Sequence, residues 1–369
     1  MKISVDSVIF RNCLETVEKA LPTRSTMPVI GSILFEITSD SLTFSATNLE
    51  FFIKSRMDCT NSGQGKILLP PKIVDIMRNF PSDQVTVDIN WDTYRLNISG
   101  GSANFHLYGS DPEDYPVSFD IDPGQKPQVT IEQTKLKKII KSVVFAASNE
   151  ETRPAFNGIL LSGKNKTLSL TASDTYRLAV KKIEDENWSL DEKNSLVPAR
   201  AMRELLRVLS DQTVNIDIYS ERSILAFQLE DVYFASRLLE EKYPDVSGVI
   251  PKEYKTRVVV DRKAFEDSVN RASLLAEGKN QAVNFIVQDN QLEVRVSGQE
   301  GSMEEIIPVE QDGENLELFA NTRYIIDILK IIEEQKVVVD FHGEGGPLIF
   351  KMPDDQSYIY LVLPIKKVN

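Results

Sequence analysis

Four lysines, Lys135, Lys137, Lys138 and Lys141, are the residues whose type and spacing speak most directly to chemistry. They hold the outward positions of one stretch, QVTIEQTKLKKIIKSVVFAA, from Gln128 to Ala147. Clustered ammonium groups neutralise phosphate oxygens, and they do so without reading base sequence. A single run of this kind is ordinarily a solvated helix face. The other reactive groups are sparse. His106 and His342 are the only histidines, which makes a histidine-centred triad or a His-rich metal site hard to build. No GxxxxGK[ST] loop occurs and no GxGxxG follows a strand. Ser173-Asp174 has no base partner in the pattern, and Cys13 and Cys59, without CxxC spacing, fit reduced structural thiols. The expectation is a protein without catalytic residues, metal or cofactor.

The elements that position the lysines recur. KISVDSVIFRNCLETVEKAL from Lys2, the Gln128 stretch and RVVVDRKAFEDSVNRASLLA from Arg257 each read as a short β-run, a polar break and an amphipathic helix. Leu136, Ile139, Ile140 and Val143 form the apolar stripe of the central copy, Phe10, Cys13, Leu14 and Val17 that of the first, and Phe265, Val269 and Ala272 that of the third. A second helix recurs in phase: PPKIVDIMRNF, PARAMRELLRVL and NTRYIIDILKII, with Pro71, Pro198 and Asn321 near the starts. Paired β-runs lie between the helices, joined by turn formers such as Ser39-Asp40, Gly163-Lys164-Asn165 and Asp289-Asn290. Each third is therefore an α+β unit of about eight or nine strands and two helices. Pro-rich joints from Asp111 to Pro127 and from Tyr243 to Pro251 give domain boundaries at 1–122, 128–246 and 248–369.

Net charge is -13, which by itself argues against a polyanion partner. Its placement argues otherwise. The six helical segments carry -1, +1, +3, +2, 0 and -1 in chain order, so the remainder of the chain holds -17. The helices are the basic surface of an acidic protein, and Arg200, Arg203 and Arg207 join the four lysines on the central repeat. No base-reading helix, zinc-finger spacing or RNP-type motif is present. No long apolar window and no signal-peptide layout is found, so a cytosolic protein is expected.

The threefold repeat, the length, TASDTYRLAV at Thr171 to Val180, KYPDVSGVIP at Lys242 to Pro251 and YIYLVLPI at Tyr358 to Ile365 resemble the bacterial sliding clamps, the β subunits of DNA polymerase III. The likeness covers the whole chain in order. It implies three clamp-type domains, each two helices on β-sheet, in a head-to-tail homodimeric ring. Such a ring encircles double-stranded DNA without sequence specificity. It tethers the polymerase catalytic subunit and other proteins bearing a clamp-binding motif, and a clamp loader places it on DNA.

The resemblance also assigns sites. A partner-peptide pocket, for a motif with a leading Gln and a trailing Leu-Phe, is implied at Phe156, Ser173, Thr175, Tyr176, Arg177, Leu178, Pro244, Val249, Tyr324, Pro347, Leu361, Leu363, Pro364, Ile365 and Lys366. DNA contacts are implied at Arg24 and in the loop Ser148-Asn149-Glu150-Glu151-Thr152-Arg153, with Arg153 the stronger candidate. By position, a dimer interface between domain 1 and domain 3 centres on Phe105, Leu107, Leu274 and Leu275, with Lys72 and Arg95 facing Glu300, Glu304 and Glu305. The chain departs from the commoner pattern at three places. Thr175-Tyr176 stand where Gly-His is frequent, Gly248 precedes Val249 where a basic residue occurs, and Lys366 replaces a terminal Arg ahead of Lys367-Val368-Asn369. The competing reading is a scaffold that docks peptides without encircling DNA.

Overall fold

The computed structural model describes the whole chain except residues 25–26, 61–62, 117–118, 123, 151, 189, 222, 279–280, 354 and 367–369. Glu151 and the Lys367-Val368-Asn369 tail therefore lie outside the described residues. The first repeat holds β1 (Lys2–Asp6), α1 (Ser7–Glu18), β2 (Ile33–Ile37), β3 (Ser41–Thr47), β4 (Phe51–Asp58), β5 (Gly65–Leu69), α2 (Lys72–Arg78), β6 (Gln84–Asn90), β7 (Arg95–Gly100) and β8 (Ala103–Tyr108). The second holds β9 (Val129–Glu132), α3 (Gln133–Val144), β10 (Gly158–Asn165), β11 (Thr167–Ser173), β12 (Arg177–Glu184), β13 (Leu190–Pro198), α4 (Ala199–Val208), β14 (Asn215–Glu221), β15 (Ile224–Gln228) and β16 (Val232–Arg237). The third holds β17 (Thr256–Asp261), α5 (Arg262–Ser273), β18 (Ala282–Gln288), β19 (Gln291–Ser297), β20 (Ser302–Gly313), β21 (Leu316–Asn321), α6 (Thr322–Leu329), β22 (Lys336–Phe341), β23 (Leu348–Met352) and β24 (Asp355–Val362).

Local chemistry sets these boundaries. Asp6 ends β1 and its carboxylate accepts from the Val8 and Ile9 N–H groups at 2.8 and 3.0 Å, capping α1. Asp261 caps α5 through Ala264 N at 2.8 Å, and Asn321 caps α6 through Arg323 N at 2.9 Å. Asp289 and Asn290 both take positive φ, 52° and 60°, as a two-residue turn between β18 and β19 requires. The apolar stripes fall as expected: Phe10, Cys13, Leu14, Val17, Leu136, Ile139, Ile140, Val143, Phe265, Val269 and Ala272 are all buried.

The described chain packs as two compact units, Met1–Leu136 with Arg200–Leu238, and Lys137–Ala199 with Leu239–Asn369. The first unit contains a four-stranded sheet, β1-β6-β7-β8, and an eight-stranded sheet, β5-β2-β3-β4-β16-β15-β14-β9. The second contains a twelve-stranded sheet, β13-β10-β11-β12-β24-β23-β22-β17-β20-β19-β18-β21. The sequence reading joined the repeats by extended linkers alone. In the structure, strands also pair across the joints. The fourth strand of the first repeat, β4, pairs antiparallel with the eighth of the second, β16. The fourth strand of the second repeat, β12, pairs with the eighth of the third, β24. Alternation along one strand reports its buried face but not the strand beside it, so these pairings were invisible to pattern.

Aromatic rings fill each joint from one side. Phe51 of β4 stacks on Phe234 of β16 with centroids 5.5 Å apart, and Phe227 meets Phe234 edge-on at 6.2 Å. At the other joint Tyr360 of β24 packs against Phe145 at 5.2 Å and Phe350 at 6.0 Å, and its hydroxyl donates to the Tyr324 carbonyl at 3.0 Å.

One buried charge ties the third repeat together. Asp340 on β22, 2% exposed at its side chain, accepts from Arg257 Nε at 2.6 Å, Arg257 Nη2 at 2.9 Å and Lys351 Nζ at 2.7 Å. Burial would raise its carboxyl, but the hydrogen bonds and charge of Arg257 and Lys351 outweigh it and hold the group below the ordinary carboxylate range. A carboxylate depressed in the fold contributes stability above the unfolded value of about 4 and loses it as pH falls through the lower folded value. Asp340→Asn is expected to cost about 2 kcal/mol at pH 7, below the usual cost of breaking a buried pair because both cations are partly exposed. Urea midpoints measured at pH 7 and pH 3 should show the deficit shrinking at the lower pH, and equal midpoints at pH 7 would refute the assignment.

Candidate partner pocket and cationic surface

The pocket candidates are organised by a turn between β11 and β12. Ser173 Oγ donates to the Arg177 carbonyl at 2.7 Å and accepts from Thr175 N at 3.0 Å, while Asp174 Oδ1 accepts from Tyr176 N and Arg177 N, both at 3.0 Å. These bonds force Thr175 into the left-handed region at φ 78°, a conformation that strains a β-branched residue by about 1–2 kcal/mol. The preference for Gly at this place in the resembling family has its physical cause here. Thr175 offsets part of the strain with its hydroxyl, which accepts from Arg153 Nη1 at 2.5 Å.

Arg177 is the buried centre of the site. Its Nε donates to Asp174 at 2.9 Å and its Nη1 to Asp327 at 2.6 Å. The guanidinium lies 4.5 Å from the Tyr324 ring centroid and 5.6 Å from that of Phe145. Burial works against its charge, yet Tyr360, Asp327 and Asp174 outweigh burial and hold Arg177 above the ordinary arginine value. Asp174, Asp327, Phe145 and Tyr360 were not foreseen in this role. Only Asp174, inside TASDTYRLAV, carried a signal, since an Asp ahead of an Arg at i+3 suits a turn.

Around this centre Leu178 pairs directly with Leu361 across the joint, and both are buried with Val180 and Ile349. The Leu363 N–H donates to the Tyr176 carbonyl at 2.9 Å, and Ile365 N to the Phe319 carbonyl at 2.7 Å, which fixes the C-terminal stretch beside the turn. Phe156 meets the buried Tyr243 edge-on at 5.6 Å, next to Pro244. Tyr176 and Val249 are each 55% exposed and Leu363 43%, so apolar surface remains open to solvent. Thr175, Tyr324, Pro347, Pro364 and Ile365 are half-buried, whereas Pro244 and Lys366 are exposed. Pro347 is held by its own turn, its carbonyl accepting from His342 Nδ1 at 2.9 Å.

The cationic candidates divide between the two units. Lys135, Lys138, Lys141, Arg24, Arg153, Arg200 and Arg207 are exposed, while Lys137 and Arg203 are half-buried. Several carry acidic neighbours: Lys138 lies 3.8 Å from Glu333, Arg200 3.8 Å from Glu50 and Arg207 3.0 Å from Glu204. Lys19 of α1 was missed. Burial, then the neighbouring positive charge of Arg207, push its amine below the ordinary lysine value. Among the described residues no group of three or more His, Cys, Asp or Glu is placed to hold a metal ion, and no helix is long and apolar enough to cross a membrane.

Of the interface candidates, Leu274 is 81% exposed at the end of α5, Leu275 is half-buried, and Phe105 and Leu107 are half-buried on the edge strand β8. The acidic candidates have partners in their own chain. Arg271 binds Glu305 at 2.5 and 3.0 Å, Arg295 lies 3.6 Å from Glu304, and Lys72 pairs with Asp75 at 3.0 Å. Arg95 and Glu300 are exposed.

Three repeats whose sheets run on across the joints, with a hydrophobic groove beside the second joint, define the sliding-clamp class. Comparison with known proteins agrees over the full length. Family descriptions of the DNA polymerase III beta subunit match residues 1–119 for the N-terminal domain, 130–245 for the central domain and 247–366 for the C-terminal domain. The beta sliding clamp of Staphylococcus epidermidis is 31% identical over 378 residues, covering 99% of each chain. The solved DNA polymerase sliding clamp of Bacillus subtilis superposes with a TM-score of 0.93 at 28% identity, covering 100% of both chains. The beta subunit from DNA polymerase of Streptococcus pyogenes gives 0.94 at 25% identity over the same coverage. The chain belongs to the DNA polymerase III beta subunit family, the sliding clamps, and so serves DNA replication as a processivity factor, an accessory subunit of the polymerase.

Removing the guanidinium from the pocket centre should leave two half-buried carboxylates unpaired. Arg177→Met is therefore expected to destabilise the protein by about 3 kcal/mol in urea unfolding at pH 7. A loss below about 1 kcal/mol would mean that the pocket does not depend on this ion network.

Proposed function

We propose that two copies of this chain close head to tail into a ring around duplex DNA. Each copy contributes clamp repeats over residues 1–122, 128–246 and 248–369. The observation that carries the reading is an internal one. Both joints within the chain pair the fourth strand of one repeat with the eighth of the next. The eighth strand of the first repeat, β8, has no second neighbour, and the Ser302–Pro308 part of β20, the fourth strand of the third repeat, pairs only with β19 among the described residues. Two unpaired edges of complementary kind on one chain invite a heterologous contact that closes after two copies.

Applying the register of the internal joints sets Phe105 opposite Met303 of a second copy and Leu107 opposite its Gly301. Phe105 then takes the place held by Phe234 and Tyr360 at the other joints, both of which are buried. Leu274 and Leu275 supply the apolar partner surface for Phe105 and Leu107. Lys72 and Arg95 approach Glu300, Glu304 and Glu305, exchanging their own-chain pairs for pairs across the interface.

Inside the ring, Arg24, Lys135, Lys137, Lys138, Lys141, Arg200, Arg203 and Arg207 meet phosphates. Arg153 is shared, since its bond to Thr175 places it at the pocket rim. The pocket takes the clamp-binding motif of the polymerase catalytic subunit, of the clamp loader and of other replication and repair proteins. Leu and Phe anchors contribute about 1.5–3 kcal/mol each when fully buried, which suits an exchangeable tether. The protein performs no chemistry of its own and works in the cytoplasm on nucleoid DNA.

Loaded protein should remain on closed circular DNA and leave it once the circle is cut. Equal retention on both forms would instead support a peptide-docking scaffold that does not encircle DNA. Charge reversal at Lys135, Lys138, Lys141, Arg200 and Arg207 should lower DNA affinity and flatten its salt dependence, and an unchanged salt slope would remove these residues from the contact surface. Leu274→Lys combined with Leu275→Lys should convert the dimer to monomer by light scattering. A dimer that persists would refute this interface.

A further inference from the structure

The partner pocket has a counterpart in the first unit, built on the same backbone. Leu49, at φ 73°, matches Thr175 at φ 78°. Thr47 Oγ1 donates to the Phe51 carbonyl at 2.8 Å and accepts from Leu49 N at 3.0 Å, as Ser173 does for Arg177 and Thr175. Asn48 Oδ1 accepts from Glu50 N and Phe51 N at 3.0 and 2.9 Å, reproducing the bonds of Asp174. Arg237 N donates to the Glu50 carbonyl at 2.9 Å, as Leu363 N does to Tyr176. The strand registers then equate Phe52 with Leu178, Lys54 with Val180, Tyr233 with Ile359, Ala235 with Leu361 and Arg237 with Leu363. Tyr115-Pro116 opens the linker here, as Tyr243-Pro244 does at the second joint, and both tyrosines are buried.

The two grooves differ in what covers them. At the second joint Val249 and Leu363 stand 55% and 43% exposed. At the first, the chain folds its own linker into place. The Phe119 ring lies 6.3 Å from that of Phe52 and beneath the Arg237 guanidinium at 4.8 Å. The Phe119 carbonyl accepts from the Tyr233 hydroxyl at 2.5 Å. Asp120 pairs with Lys54 at 2.9 Å, and the Lys54 ammonium lies over Phe52 and Tyr233 at 5.7 and 5.8 Å. One aromatic ring, one carbonyl and one carboxylate of consecutive residues are thus each met by a complementary group of the joint.

We propose that Phe119-Asp120 is a resident plug, an internal ligand that occupies the first-joint groove and leaves only the second-joint groove open to partner peptides. The chemistry of the plug defines what the groove accepts: an aromatic side chain followed directly by a carboxylate. Lys54 and Arg237, where the open groove has Val180 and Leu363, make the first groove unsuited to a motif ending in Leu-Phe. The inference uses the pocket reading only for its analogy, and its test does not depend on that reading.

The probe is a synthetic peptide of residues 115–122, acetylated and amidated, titrated by calorimetry into full-length protein. The double variant Phe119→Ala with Asp120→Ala should bind one peptide per chain at least tenfold more tightly than the parent. If the variant keeps its circular-dichroism spectrum and its mass in solution yet binds no better than the parent, the plug is overturned. A second measurement needs no peptide in trans. Tyr233→Phe deletes only the hydroxyl that holds the Phe119 carbonyl, so chymotryptic cleavage after Phe119 should quicken about fivefold, the ratio that corresponds to one hydrogen bond of about 1 kcal/mol. An unchanged cleavage rate would also overturn the proposal. A clamp-motif peptide that fails to bind the parent would count against the second-joint pocket and leave the plug standing.

Discussion

A strand at a sheet edge presents a row of unpaired N–H and C=O groups, and the architecture of this chain follows from where those rows find partners. The fourth strand of a repeat does not end its sheet; it is completed by the eighth strand of the repeat that follows. Because the backbone ladder crosses the joint, neighbouring repeats are held by hydrogen bonds as regular as those inside either one. The rings that pack there, Phe51 on Phe234 and Tyr360 on Phe145 and Phe350, exclude water from that ladder. A tether that carries load between DNA and polymerase gains from joints of this kind, since bending at a joint would have to break several bonds together. The groove for partners is a by-product of the same feature. The turn that delivers the fourth strand to the joint leaves a notch between itself, the linker and the end of the incoming eighth strand.

The repeats, the helix stripes and the caps were legible because each rests on local periodicity or on one side chain bonding its own backbone, as at Asp6, Asp261 and Asn321. The joint was not, since strand partners are set by contacts far apart in sequence. The pocket candidates came from a family resemblance, and within the second unit Ser173, Thr175, Tyr176, Arg177, Leu178, Leu361 and Leu363 are joined by backbone bonds, strand pairing or side-chain contact. What no resemblance or period supplied was the reason for Arg177. A lone arginine in a run of apolar residues reads as a surface group until Asp174, Asp327 and Tyr324 are seen to enclose it. Arg153 shows the opposite failure. Its exposure and charge suggested phosphate, yet its nearest bond is to the strained Thr175.

The acidic neighbours of the cationic helices bear on how such a surface works. Exposed pairs such as Arg200 with Glu50, Arg207 with Glu204 and Lys138 with Glu333 are worth about 0–1 kcal/mol each, so a phosphate can take the cation at little cost. Each contact with the duplex is correspondingly weak in net terms. Many weak, sequence-blind contacts give a smooth potential along the DNA axis, whereas a few strong ones would give sticking points. A strongly acidic remainder keeps free chains from binding nucleic acid elsewhere on their surface.

The two joints together separate what backbone geometry dictates from what side chains decide. Residues 47 to 54 and 173 to 180 fold into the same turn, with the same side-chain bonds to backbone and the same left-handed residue, although Leu49 and Thr175 share no chemistry beyond tolerating that conformation. Function cannot therefore reside in the turn itself. It resides in the substitutions around it: Leu178, Val180, Leu361 and Leu363 form an apolar trough at one joint, and Phe52, Lys54, Ala235 and Arg237 form a charged one at the other. An apolar trough open to water retains free energy for an incoming partner, because about 25 cal/mol is recovered for each Å² of apolar surface that the partner covers. A trough already paired ring to guanidinium and carboxylate to ammonium retains much less, since any newcomer must first displace contacts of similar quality. Divergence of a duplicated joint, with one copy satisfied internally and the other left hungry, is sufficient to give each chain a single point of attachment.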